Sequence, residues 1–370
     1  MFNWISTSLI LMFAVNCYAV TPWYTIYDDP KRLNDSQIWQ EHIEELMKQY
    51  QSNIGDRSYQ SEAHSIARGL EAIENPEVVE LLWKYYTSGG PYKNVAQISC
   101  FDVALKNSLM QNHLIAEFLN SRELEFRFSY ALRMLRWEQV PEIAMTFLFD
   151  SLDQLSAGDR LKALSTLMHL MVHRKQPIQH FRLIEARTLA RLEVTRPPEE
   201  VKELSQILAQ LERWTGNSYS QLVSLSAQGR IPIENLAPLV KALSYAVNGI
   251  IGATFDELKP ASVDAFFKVL TEAKNNSAPE VRAAAVEASL WQLSKPQFPQ
   301  ELKDWIAESK SDPVVNRSII SFYSNMGRSS QTYLSKAFPG VFPKPRNGVI
   351  SLLTQRCADA LSIARDWLPF

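Results

Sequence analysis

The chain has 370 residues, 46% hydrophobic, 21% charged and 11% aromatic, with 38 Lys+Arg against 40 Asp+Glu, a globular balance that excludes disordered, collagenous and polytopic membrane classes. A net charge of -2 gives no global attraction to nucleic acid or to an anionic membrane, so either role would need a local patch. At ~100 to 200 residues per domain the length accommodates two or three domains or one repeat array.

The first 27 residues carry no Asp, Glu, Lys or Arg. Within them Ile5 to Val15 forms an apolar stretch, and Cys17-Tyr18-Ala19 places a small residue at the -1 position of a cleavage site after Ala19. Residues 1–19 are therefore read as a secretory signal, and the protein as periplasmic or secreted. The alternative is an uncleaved anchor, because residues 4–24 supply the ~20 residues needed to span a bilayer. The following residues, 20–36, next to prolines, are expected to be extended. Removal of residues 1–19 leaves Cys100 and Cys357, 257 positions apart, which are expected to be free buried thiols.

From residue 37 to residue 337 apolar side chains recur at three- and four-residue spacings, predicting helices at 37–50, 59–72, 76–88, 94–109, 111–119, 122–136, 140–155, 158–173 and 178–193. The series continues at 198–214, 218–226, 233–248, 260–274, 279–294, 299–309, 313–326 and 329–337. Pro76, Pro141, Pro198, Pro260, Pro279 and Pro313 stand where helices start, a position at which the missing N–H costs nothing. Helices this short and closely joined pair antiparallel in series, so the expected fold is all-α, an α-α superhelix or solenoid. At ~40 residues per pair the chain holds about eight or nine pairs.

Along this array the charge is uneven. Residues 20–100 hold seven Lys/Arg against twelve Asp/Glu, with Glu71, Glu74, Glu77 and Glu80 three apart, a solvated ridge or a contact surface for a basic partner. Residues 160–196 are the opposite, with eight Lys/Arg against Glu185 and Glu193. Arg174, Lys175, Arg182, Arg187 and Arg191 are the candidate patch for an acidic protein or an acidic glycan, unless Glu199, Glu200 and Glu203 neutralise it within the fold. His169, His173 and His180 in the same stretch are candidate metal ligands. Leu170 stands where the zinc-hydrolase pattern HExxH requires Glu, so hydrolytic zinc chemistry is not expected there.

Towards the C-terminus, Ala278-Pro279-Glu280-Val281-Arg282 recurs as Asp312-Pro313-Val314-Val315-Asn316-Arg317, with a third copy at Asn75-Pro76-Glu77-Val78-Val79. Residues 278–293 (APEVRAAAVEASLWQL) resemble the second half of a HEAT repeat, a proline-Val-Arg turn followed by an Ala-rich helix. The resemblance implies a HEAT/armadillo-like solenoid in which Ala284, Ala285 and Ala288 allow close helix approach. Glu308-Ser309 ahead of Pro313 also resembles the Glu-Ser start of a lytic transglycosylase domain, which would make Glu308 catalytic. No Gly-Leu-Met-Gln follows, and residues 312–326 read as a repeat helix. Residues 338–348 (FPGVFPKPRNG) read as a linker and 349–370 as a final helix that either detaches from the array or folds back on it as a cap.

Nucleophile-elbow, dinucleotide, P-loop and Ser-x-x-Lys patterns are absent. The expectation is an exported, non-catalytic scaffold without cofactor that binds another protein or extended macromolecule. The alternatives are a helical cell-wall or glycan hydrolase, and a membrane-anchored assembly factor if residues 4–24 remain attached.

Overall fold

The computed structural model describes residues 24–27, 29–55, 67–173, 176–247, 258–293, 295, 297–339 and 341–342, without the side chains of 24–25, 53–55, 169–173, 247, 310 and 328. The signal at 1–19, the linker part 343–348 and the helix at 349–370 lie outside the described residues, as does Cys357. The chain divides into two compact units, Met1–Leu152 and Asp153–Phe370. Among the described residues there is no strand, and β-type pairing is limited to one isolated bridge between Pro339 and Phe342.

The first unit holds α1 (Tyr24–Tyr27), α2 (Pro30–Leu33), α3 (Ser36–Gly55), α4 (Pro76–Ser88), α5 (Lys93–Val103), α6 (Ser108–Asn120), α7 (Leu124–Met134) and α8 (Glu142–Ser151). Neighbours in sequence are neighbours in space: α4 packs on α3, α5 and α6, then α6 on α7 and α7 on α8. Residues 20–36, expected to be extended, instead contain α1 and α2. Asp29 caps α2 by accepting from the Lys31 N–H at 3.0 Å with Pro30 in the first turn. In α1 tertiary packing overrides the strand preference of the aromatic residues: Ile26 and Tyr27 are buried, and the Tyr27 hydroxyl donates to the Leu46 carbonyl at 3.0 Å. A Cβ on Gly69 would lie 2.3 Å from the Tyr27 carbonyl oxygen, so glycine is required for α1 to close on the unit.

The second unit holds α9 (Ala157–His173), α10 (Ile178–Leu192), α11 (Pro198–Thr215), α12 (Ser218–Ala227), α13 (Ile233–Val247), α14 (Pro260–Lys274), α15 (Pro279–Gln292), α16 (Gln300–Glu308), α17 (Pro313–Asn325) and α18 (Arg328–Ala337). Alternate helices make one layer, α9 on α11, α11 on α13, α13 on α15 and α15 on α17. A second row lies across it, with α10 on α11, α12 on α14 and α14 on α15. This i to i+2 stacking of short helix pairs is the α-solenoid arrangement. Ala284, Ala285 and Ala288 are buried in α15, which packs on α13, α14 and α17. Larger side chains there would hold the three neighbours apart.

Helix starts follow their local chemistry. Pro76, Pro198, Pro260, Pro279 and Pro313 each occupy the first turn, whereas Pro141 sits one residue earlier, at the N-cap of α8. Gly216 ends α11 in the left-handed region at φ 65°, a conformation that disfavours any side chain. The break expected near residue 110 falls earlier, because Asn107 accepts from the Leu109 and Met110 N–H groups at 3.0 and 3.1 Å and so opens α6.

Asparagines and one Arg–Asp pair stitch successive connections together. Asn34 Oδ1 accepts from the Glu74 and Asn75 N–H groups at 2.7 and 2.8 Å, and its Nδ2 donates to the Ala72 carbonyl at 3.0 Å. Asn235 repeats this in the second unit, donating to the Leu192 and Val194 carbonyls at 3.0 and 2.8 Å and accepting from the Arg196 N–H at 3.0 Å. Arg282, in one copy of the proline-Val motif, donates Nε and Nη2 to Asp312 Oδ2 of the next copy at 3.0 and 2.6 Å. Asp312 in turn accepts from the Val314 and Val315 N–H groups, so one carboxylate caps α17 and ties it to α15.

Candidate functional site

Of the histidine and basic candidates, the side chains of His180, Arg182, Arg187 and Arg191 are described. The side chains of His169 and His173 lie outside the described residues, as do Arg174 and Lys175. His180 is half-buried in the first turn of α10, with its Nδ1 buried and without a hydrogen-bond partner among the described residues. Among the described residues no group of three or more His, Cys, Asp or Glu could hold a metal ion.

Arg191 does not belong to an exposed patch. It is 8% exposed and donates Nε to Glu200 Oε1 at 3.1 Å and Nη2 to Asp153 Oδ1 at 2.9 Å. Arg196 donates to Asp153 at 2.6 Å, and Arg160 Nε lies 3.5 Å from Glu200 Oε2. Glu200 is 3% exposed, so the guanidiniums exist in this position as partners of a desolvated carboxylate. The Arg191 and Arg196 hydrogen bonds hold the Asp153 carboxyl down at about 2. Arg182 remains exposed on α10 and Arg187 is half-buried.

A second pair of carboxylates, Glu185 and Glu212, lies at the joint of α10, α11 and α12. Glu185 accepts from the Thr215 hydroxyl at 2.7 Å and from Gln221 Nε2 at 3.2 Å, and Glu212 accepts from the Tyr219 N–H at 2.7 Å. Burial raises the Glu212 carboxyl above the ordinary carboxylate range. Both are closed into the helix joint, 5% and 2% exposed, so their geometry is that of a structural contact. Glu308 ends α16 on the surface. Cys100 is buried and free, and burial pushes its thiol well above the usual range, away from the thiolate that a nucleophile requires.

A groove of about 750 Å³ runs along α4 in the first unit, lined by Ser36, Gln40, Glu77, Glu80, Trp83, Lys84 and Leu109 among others. Two residues of α6, one turn apart, orient it. His113 Nε2 meets Glu80 Oε1 at 2.8 Å, and its ring stacks on Trp83 at 4.9 Å between centroids with 12° between planes. Glu117 accepts from the Tyr86 hydroxyl at 2.7 Å and also from Tyr130, whose own hydroxyl lies 2.7 Å from that of Tyr86. The Tyr86 hydroxyl is pushed up to about 12, chiefly by burial, and stays protonated as a donor. These contacts fix the rotation of α4: Leu82 and Tyr86 face the core, while Trp83 lies half-buried at the groove between Glu80 and Lys84. Ser36, whose hydroxyl donates to Glu77 Oε2 at 2.6 Å, closes one end. Glu77 and Glu80 are members of the acidic ridge visible in the sequence. Trp83 belongs to no motif read from the sequence.

The second unit carries a row of exposed aromatic side chains near the C-terminal ends of three stacked helices. Tyr245 of α13, 44% exposed, lies 6.0 Å from Trp291 of α15, 38% exposed, and Trp291 lies 5.3 Å from Phe322 of α17. Tyr333 of α18, 48% exposed, joins them around a groove of about 330 Å³. No helix among the described residues is long and apolar enough to cross a membrane. No protein-family model, curated protein or solved structure matches the chain.

Proposed function

We propose that the protein is an exported, non-catalytic helical-repeat scaffold that holds another protein, gripping a basic segment of it in the α4 groove of the first unit. The observation that carries this reading is Trp83, a large ring held half-buried by His113 and flanked by Glu80 and Glu77. An aromatic platform beside carboxylates suits the stem and head of a Lys or Arg side chain, through ring contact and charge-assisted hydrogen bonding. Stacked helix pairs support the reading, because they present long open surfaces to extended partners. Glu212 and Cys100, both displaced upward by burial, are closed among packed helices, which suits binding better than hydrolysis.

The test is native purification of the tagged protein from its own host after mild cross-linking, with mass spectrometry of the recovered material. A protein recovered at near-equal amounts, and lost with Trp83→Ala but kept with Leu119→Ala, is the expected result; Leu119 is an exposed residue of α6 outside the groove. A solitary protein, or a partner indifferent to Trp83→Ala, refutes the groove. Export is tested separately, by a mature N-terminus at Val20.

A further inference from the structure

The chain leaves the last described layer of the second unit beside an uncovered apolar groove. Phe338 and Phe342 are buried, Phe342 stacks on Tyr323 of α17 at 5.1 Å, and the Val341 N–H returns to the Phe338 carbonyl at 3.1 Å. The segment after α18 therefore turns back onto α17 instead of continuing outward. Phe342 ends beside the residue that follows Phe322, one wall of the groove formed by Leu290, Trp291, Phe322, Met326, Tyr333 and Leu334. A terminal layer of a helix stack that leaves such residues uncovered exposes the face which, in the interior of the array, each next pair buries.

The sequence supplies one segment of the right pattern at that place. Residues 349–370 carry Ile350, Leu353, Cys357, Leu361 and Ala364 at three-, four-, four- and three-residue spacings, the pattern of one stripe of a helix about 21 Å long at 1.5 Å per residue. From Phe342 to Ile350 is eight residues, a reach of up to about 27 Å. We propose that residues 349–370 of the same chain fill this groove, laying that stripe across Trp291, Phe322 and Tyr333 as the cap of the array. The tether holds the segment at roughly millimolar effective concentration, so it meets the groove before a second copy does. This surface belongs to the second unit and is independent of the α4 groove.

Cys357, on the stripe, provides the test in the full chain carrying Cys17→Ser, with Cys100 left in place because it is buried. A second cysteine is introduced at Ser330→Cys, on the groove, or at Lys268→Cys, on the exposed side of α14, and each protein is oxidised mildly at low concentration. The expected result is an intramolecular disulfide to position 330 forming about tenfold faster than to 268, abolished by Leu353→Asp with Leu361→Asp. In that double variant the amide hydrogens of α18 should also exchange roughly tenfold faster. Equal rates at 330 and 268, or no disulfide at either, overturn the proposal. A disulfide-linked dimer whose yield rises with concentration overturns it in favour of a second copy on the groove.

Discussion

Asn235→Ala tests whether the asparagine stitches hold the repeat together. Asn235 is 0% exposed; it donates to the Leu192 carbonyl in a fully buried bond and to the Val194 carbonyl in a partly buried one, and accepts from the Arg196 N–H. Alanine removes all three partners. Leaving a buried backbone group unpaired costs about 1 to 3 kcal/mol, and the two partly buried groups regain water for about 0.5 to 1 kcal/mol each. The sum is about 3 kcal/mol, which at roughly 2 kcal/mol/M in urea lowers the unfolding midpoint by about 1.5 M. Asn235→Asp keeps the acceptor for Arg196 but sets a carboxylate against two carbonyl oxygens, so at pH 7 it should destabilise at least as much. A carboxyl raised by those carbonyls would recover part of the loss as pH falls and it protonates to a donor. Asn217→Ala is the control, since Asn217 precedes α12 on the surface with no side-chain capping bond, and should stay within about 0.5 kcal/mol of the parent. Urea unfolding followed by far-ultraviolet circular dichroism reads all four proteins. An Asn235→Ala midpoint within 0.3 M of the parent, or an Asn235→Asp protein as stable as the parent at pH 7, would show that these bonds carry little of the stability.

Three further outcomes follow from the ionisable groups. Glu212 has a folded-state pKa raised by burial, so its favourable contribution is present below the ordinary carboxylate pKa and is lost as pH rises through the folded value; Glu212→Gln should raise the Tm more at pH 8 than at pH 5, and an equal shift at both would contradict this. Arg282→Ala and Asp312→Ala each remove one end of a two-pronged guanidinium–carboxylate contact, and a double-mutant cycle in urea should return a coupling of about 1 kcal/mol; strictly additive losses would mean that Asp312 acts only as the cap of α17. Glu200→Gln leaves Arg191 and Arg160 without their buried carboxylate, and should cost about 3 kcal/mol; a loss below about 1 kcal/mol would assign the network to the solvated class of ion pairs.

The helices were legible because their cause is local. The stripe Leu164, Leu167 and Met168 is buried in α9, and Pro198, Pro260 and Pro279 mark starts with no help from elsewhere in the chain. What escaped needs a partner distant in sequence. Nothing near Asn235 shows that its amide will reach back 43 residues to the Leu192 carbonyl. Nothing near Trp83 shows that His113, on another helix, will stack on it and turn it out of the core. Tyr27 favours a strand locally, and its burial with a hydrogen bond to the Leu46 carbonyl, 19 residues on, is what favours the helix. The Arg282–Asp312 contact is the intermediate case: both ends lie in visible copies of one motif, so the repeat was readable and the bond between its copies was not.

The basic stretch shows how far a charge count along a helical array departs from the field outside it. Residues 160–196 hold eight cations and two anions, a net of plus six. Arg160, Arg191 and Arg196 from this window converge on Asp153 and Glu200, both just beyond its ends. Counting the two carboxylates where they lie in space lowers the net from six to four. Arg191, having its charge matched inside the protein, offers nothing to an incoming anion. Solenoid packing causes this generally, because helices one or two apart in sequence share an interface and their opposite charges meet there. Exposed charges are screened within ~8 Å at physiological salt, while Trp83 is held in place by the stacked His113 ring. On the proposed scaffold reading, selectivity for a basic segment is expected to follow the placement of the Trp83 ring, and salt to change the rate of encounter more than the strength of the final complex.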